Sequence, residues 1–237
     1  MFWFRESHDP AHPGRPAHVA FTDAELDLQG LRPGFPGALA AVEQACGVGF
    51  ARMSQVHGDV VVEVEEPMSD PTFRTPSCDA LLTTTPGVGL MVRAADCVPL
   101  VLAGDGVVAA AHAGRPGVVV DVTTRTVEAM AAHGADPARL TAWVGPHVCG
   151  ACYEVPEQMR DDVAATVPET RAETSWGTPS VDIGAGVRAQ LARAGVTDVR
   201  EVGGCTREEP RLHSYRRDGT TSGRHAGLVW LDAGDAR

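Results

Sequence analysis

The chain has 237 residues, of which 43% are apolar and 22% charged, so it can bury a real core and disorder is not the default. Its formal net charge of −11 disfavours nucleic-acid binding, which needs a basic face. No apolar run reaches the roughly 18 residues of a membrane span, and the early polar residues of the N-terminus exclude a secretory signal. A cytoplasmic protein with no nucleic-acid or membrane partner is expected.

Residues 1–17, rich in Pro, His and Gly, read as an irregular lead-in. A strand is predicted over 18–21 and an alanine-rich helix over 36–46. The pattern then turns to β. Strands are predicted over 60–64, 80–84, 89–93, 98–103 and 107–112, as short apolar runs broken by Pro-Gly and Gly-Asp-Gly turns. A helix follows over 121–133, with Asp121 as N-cap and Gly134 past its end. A strand over 140–144, helices over 156–166 and 187–194, and a closing strand over 227–231 complete the chain. No linker or repeat interrupts it. The expectation is one α+β domain over 1–237 with mixed sheets.

All twenty basic residues are arginine. Schiff-base chemistry, pyridoxal-phosphate chemistry and the phosphate-binding P-loop all need a lysine, so they are excluded. Two Gly-x-Gly segments, at Gly104 and Gly184, match a loose dinucleotide fingerprint without its βαβ frame and read as structural. Six cysteines in a chain of this size with no leader read as free thiols or metal ligands. Cys149-Gly150-Ala151-Cys152 is a lone CxxC and reads as two packed cysteines, with His147 nearby keeping a metal role open.

Three segments carry metal-competent side chains where an apolar strand meets a turn: Gln55-Val56-His57-Gly58, Ala95-Asp96-Cys97-Val98-Pro99 and His112-Ala113-Gly114. Each histidine taken singly reads more readily as a hydrogen-bonded core or surface residue, and Cys97 as a small buried hydrophobe. Spacing does not show that they converge.

In these three segments, and in Asp79-Ala80, Gly145-Pro146, Tyr153-Glu154-Val155, Cys205-Thr206, Ser214-Tyr215-Arg216-Arg217-Asp218-Gly219 and Gly223-Arg224, the chain resembles the YfiH-type family. That family is also called laccase-domain or polyphenol-oxidase-like, and includes purine nucleoside phosphorylases. The resemblance runs from about Gln55 to the C-terminus. It implies a layered α/β fold with mixed sheets and a triplet of His57, Cys97 and His112 that is both metal-binding and catalytic. It also implies phosphorolysis of adenosine, inosine and methylthioadenosine, and deamination of adenosine. Two departures stand out. Where the family continues His-Ala-Gly with Trp-Arg-Gly, this chain has Arg115-Pro116-Gly117, and the family's N-terminal Asn-Arg segment has no recognisable counterpart in residues 22–45.

Two imidazoles and a thiolate suit zinc with an open fourth position, and suit copper as well. For deamination, zinc would activate a water for attack at C6 of adenine. Asp96 is then either the proton carrier or a turn residue. For phosphorolysis, Arg115, Arg216, Arg217 and Arg224 are the candidate phosphate forks, with Gln55 a further substrate contact. If Arg216 and Arg217 lie in extended chain, only one of them faces the site. The expected partners are a purine nucleoside and phosphate, the expected assembly a monomer or homodimer. Three other readings stay open: a cysteine-type hydrolase or editing factor acting on peptidoglycan precursors, a non-catalytic binding protein, and a copper phenol oxidase.

Overall fold

The computed structural model describes residues 1–9, 15–68 and 75–234. In chain order its elements are β1 (Phe2–His8), β2 (Ala17–Thr22), α1 (Phe35–Cys46), β3 (Gly49–Ala51), β4 (Val61–Glu63), β5 (Ala80–Thr83), β6 (Val88–Ala94), β7 (Val98–Gly104) and β8 (Val107–Ala113). There follow α2 (Arg115–Val119), α3 (Val122–Ala132), β9 (Thr141–Val144), α4 (Glu157–Thr166), β10 (Arg171–Glu173), β11 (Pro179–Val181), α5 (Ile183–Arg193), β12 (Asp198–Glu201), α6 (Tyr215–Asp218) and β13 (His225–Leu231). None of these helices is long and apolar enough to cross a membrane.

Two mixed sheets stack face to face. One has the order β1-β2-β13-β6-β3, the other β12-β9-β7-β8-β5-β4, and β10 and β11 form a separate ribbon. Period-two alternation explains the layers. In β7 and β8, Val98, Leu100, Leu102, Val107, Ala109 and Ala111 belong to a core that includes residues of α2 to α5. Their alternates Val101, Ala103, Val108 and Ala110 meet Phe21, Leu90, Val92 and Val229 of the other sheet. On the far side of that sheet, Met91, Leu228 and Trp230 pack with Leu39 and Val42 of α1. The layers therefore run α1, sheet, sheet, helices. Both faces of each sheet are covered, which is why strands β5 to β8 read as near-continuous apolar runs.

The mixed α/β class and the positions of most elements match the sequence reading. Three differences have physical causes. Phe2–His8, expected as irregular lead-in, is an edge strand paired antiparallel with β2; residues 10–14 of that lead-in lie outside the described residues. Helix α5 begins at Ile183 rather than at residue 187. Its Gly184 and Gly186 are there for close packing, since a Cβ on Gly186 would come within 2.8 Å of Val118 in α2 and 2.7 Å of Thr170. Arg216 and Arg217 lie in the helical turn α6, not in extended chain.

Phe21 sits at the centre of the layer between the sheets, fully buried. Gly227 leaves it room, as a Cβ there would approach its ring to 2.9 Å. Phe21→Ala is expected to destabilise the chain by about 3–5 kcal/mol through the cavity it leaves. A urea titration checks this, and a loss under about 1 kcal/mol would show that the two sheets are not held by this contact.

Candidate active site

The site lies at the rim of the gap between the sheets, and its centre is a carboxylate. Asp79, fully buried at the start of β5, accepts from three consecutive backbone N–H groups: Val56 at 3.1 Å, His57 at 2.9 Å and Gly58 at 2.7 Å. It also accepts from Nδ1 of His112 at 2.9 Å. These bonds hold its pKa down despite burial, the His112 contact contributing most among them. With Nδ1 engaged, His112 presents Nε2 to the site, as a ligating histidine does. The same bonds hold His57 in the left-handed region at φ 62°, an uncommon conformation for a residue with a Cβ.

Cys97 comes from the tight β6–β7 connection. Its Sγ lies 3.8 Å from Nε2 of His57, and the rings of His57 and His112 meet edge to face at 4.7 Å. One ligand atom from each of His57, Cys97 and His112 lies within 4.8 Å of the others, so the three can share an ion. Burial disfavours charge on Cys97, yet His112 and His57 pull its pKa down to about 6. Burial likewise opposes charge on His112, but Cys97 and Asp79 raise it to about 9. A thiolate beside an imidazole that gives up its proton is a donor set suited to a divalent cation. Gly114 closes the floor: a Cβ there would overlap the His57 ring and lie 3.0 Å from Cys97 Sγ.

The triplet opens into a pocket of about 780 Å³, ample for a nucleoside. Gln55, Arg216 and Arg224 line it, as do Arg93, Gln29, Tyr153 and Tyr215. Gln55 spends both ends of its amide on the backbone of Arg93, at 2.9 and 2.7 Å, and so fixes that strand end. Arg216 stacks over Tyr153 at 4.5 Å and donates to the Glu154 carbonyl. Burial lowers the pKa of Arg93 to about 10, with the nearby Arg52 and Arg224 adding to the effect.

Asp96 lines the pocket but is buried, with φ 93°. Its carboxylate accepts from Thr206 Oγ1 at 2.6 Å, Ser214 Oγ at 2.7 Å and the Arg216 backbone at 2.6 Å. Both oxygens are engaged, the pattern of a residue that shapes a turn. Arg217 points away, donating to the carbonyls of Thr206, Glu209 and Leu212 and pairing with Asp218. Arg115 opens α2 and is not among the pocket-lining residues. Pro116 falls in the first turn of α2, where a missing N–H has no intrahelical partner to lose. Asp79 and Arg93 were not picked out as site residues from sequence. The Asp79-Ala80 motif was a signal for the first; nothing in the sequence distinguished the second from a surface arginine.

Residues 38–232 match the family described as multi-copper polyphenol oxidoreductase laccase. The chain is 50% identical over 235 residues to a Streptomyces coelicolor protein named purine nucleoside phosphorylase, covering 91% of this chain and 96% of that one. A Mycobacterium bovis protein of the same name is 43% identical over 182 residues, 76% of this chain and 71% of that one. Among solved structures, a Neisseria meningitidis protein of the DUF152 family superposes with a TM-score of 0.78 at 29% identity, over 96% of this chain and 99% of that chain. The YfiH protein of Bacillus licheniformis shares the fold, with a TM-score of 0.82 at 21% identity over 91% and 93% of the two chains.

Asp79→Asn would turn an amide N–H toward backbone donors. It is expected to destabilise the chain by about 2–4 kcal/mol, read as a lower urea midpoint. A midpoint equal to that of the parent would show that Asp79 does not organise this region.

Proposed function

The chain belongs to the multi-copper polyphenol oxidoreductase laccase family, and we propose that within it the chain is a metal-dependent purine nucleoside phosphorylase. The charge of the pocket carries this reading. In a chain of net charge −11, Arg93, Arg216 and Arg224 line the pocket against a single carboxylate, Asp96, whose oxygens are already bonded. Such a surplus of guanidinium suits phosphate. Both tyrosines of the chain, Tyr153 and Tyr215, line the same pocket and offer flat faces to a purine. The names of the relatives agree with this chemistry.

In the reaction, a phosphate oxygen bonds to C1′ of the ribose as the C1′–N9 bond breaks. The base leaves with the bonding pair and takes up a proton, giving ribose 1-phosphate and free purine. The arginines hold and orient phosphate, while Gln55 and Asp96 fix the backbone of Arg93 and Arg216. The metal is read as zinc: His57, Cys97 and His112 would hold it, and it would supply a Lewis acid to the pocket; copper also suits this donor set. Adenosine deamination, with water as co-reactant and ammonia as product, is the companion activity. A second reading, a cysteine-type hydrolase, is favoured by one observation: the 3.8 Å approach of Cys97 Sγ to His57 Nε2, which is the geometry of a nucleophile beside its base.

Zinc-loaded protein incubated with adenosine, inosine and methylthioadenosine is expected to release free base and the ribose phosphate only when phosphate is supplied. No product from any of the three would sink the reading. Ammonia released from adenosine without phosphate reports the deaminase activity. Removing the metal with a chelator should abolish turnover and zinc should restore it. Full phosphorolysis in metal-free protein would overturn the metal dependence, and stoichiometric zinc lost in Cys97→Ala would count against the thiol mechanism.

Gly114→Ala would set a Cβ against His57 and Cys97. It should weaken zinc binding about 10–100-fold in a competition titration against a chromophoric chelator; unchanged affinity would show that the triplet does not hold the ion.

A further inference from the structure

A second cluster of ligand-type side chains lies on the other side of the Asp96 turn. Cys149, Cys152, Cys205 and Glu208 each offer an atom within 4.8 Å of the others. The CxxC looked unsupported in the sequence because its partners come from more than fifty positions further along the chain. We propose that these four residues form a second, structural site for a thiophilic divalent cation of the zinc type, separate from the His57-Cys97-His112 triplet.

The backbone around the cluster is built as two matching turns. In Cys149-Gly150-Ala151-Cys152, the N–H groups of Cys152 and Tyr153 both donate to the Cys149 carbonyl, at 2.9 and 3.0 Å. In Cys205-Thr206-Arg207-Glu208, those of Glu208 and Glu209 both donate to the Cys205 carbonyl, at 3.1 and 2.9 Å. Each turn sets its first and fourth side chains on one side, the ligand spacing of paired knuckles in structural zinc sites. The two turns are tied together. His147 and Cys205 form a parallel bridge, with His147 N donating to the Gly204 carbonyl at 3.3 Å and Thr206 N to the His147 carbonyl at 3.0 Å. Across the join, the N–H of Cys149 points at Cys205 Sγ from 3.5 Å, so a thiolate there is already solvated by an amide.

Three sulfurs and one carboxylate are four ligands, the number that fills a structural zinc site and leaves no open position for catalysis. Glu208 is exposed and Cys152 faces a shallow groove that Arg207 and Arg216 also line. An ion therefore has a path in, and cationic side chains stand near the negative ligand set. The site would brace the first one. Val148 N donates to the Asp96 carbonyl at 3.0 Å and Thr206 Oγ1 to the Asp96 carboxylate, so both turns grip the residue next to Cys97.

Cobalt(II) alone is the probe, added to reduced, metal-free Cys97→Ala protein whose fold is confirmed by circular dichroism. That variant keeps no thiolate in the triplet, so a thiolate-to-cobalt charge-transfer band reports the cluster. The band is expected at an intensity of about three thiolates per chain, to fall by about a third in each of Cys149→Ser, Cys152→Ser and Cys205→Ser on the same background, and to vanish on adding zinc. Glu208→Gln should keep the band but weaken cobalt binding. A folded Cys97→Ala protein with no band in excess cobalt overturns the proposal, as does a band that persists at full intensity in Cys205→Ser. Native protein purified from zinc-supplemented cells gives an independent measure: about two zinc per chain supports the second site. A single zinc that Cys97→Ala removes entirely speaks against it.

Discussion

The carboxylate of Asp79 is the constraint on which the site depends. Three successive amides of the 56–58 turn and the imidazole of His112 converge on it. Those amides belong to a loop and the imidazole to a central strand, and the anion joins their site-facing groups where β4, β5 and β8 already bring the backbones together. It sets the left-handed turn at His57 and the orientation of the His112 ring together. A buried carboxylate is tolerable only when its lone pairs are filled, and here filling them is what builds the ligand geometry.

The layered packing decides where this can happen. His112 lies on the face of β8 that looks into the gap between the sheets, in register with Pro99 of β7. Further down the same strand that face is sealed by Ala110, Val108 and the opposing sheet. The gap opens only at the strand ends, where the β6–β7 connection and the loops around residues 148–153 and 214–224 form the walls. Small residues let the chain close tightly on the inter-sheet core. Gly145 has no room for a Cβ, which would overlap the Phe21 ring and meet Pro99 at 2.8 Å.

Much of this was legible in the sequence because burial on both faces writes itself as unbroken apolar runs, and the Gly-Asp-Gly hairpin and the Asp121 cap are local signals. Edge strand β1 was not, because its pairing with β2 is made across an intervening Pro- and Gly-rich stretch. The start of α5 was hidden by glycines that serve packing against Val118 and Thr170. In the site, the resemblance picked out the triplet, but side-chain roles depended on partners far along the chain. For Asp96 the sequence left proton carrier and turn residue both open, and Thr206 and Ser214 on its carboxylate favour the turn. Arg216 and Arg217 stood as equal phosphate candidates in the sequence, and it is α6 that turns Arg217 toward backbone carbonyls. Arg93 carried no local mark at all.

The triplet draws its members from structural units of unequal stability. His112 belongs to a strand hydrogen-bonded on both sides, by β5 and β7, whose amides open to exchange only when the sheet does. His57 is exposed, on a loop whose three amides 56–58 rest on one carboxylate, and loops open at lower free energy than central strands. Whatever bridges the two rings welds the fraying unit to the unyielding one. Protection against amide exchange around residues 56–58 then has two sources, the Asp79 carboxylate and whatever the two rings hold, so occupancy adds rigidity to the pocket wall.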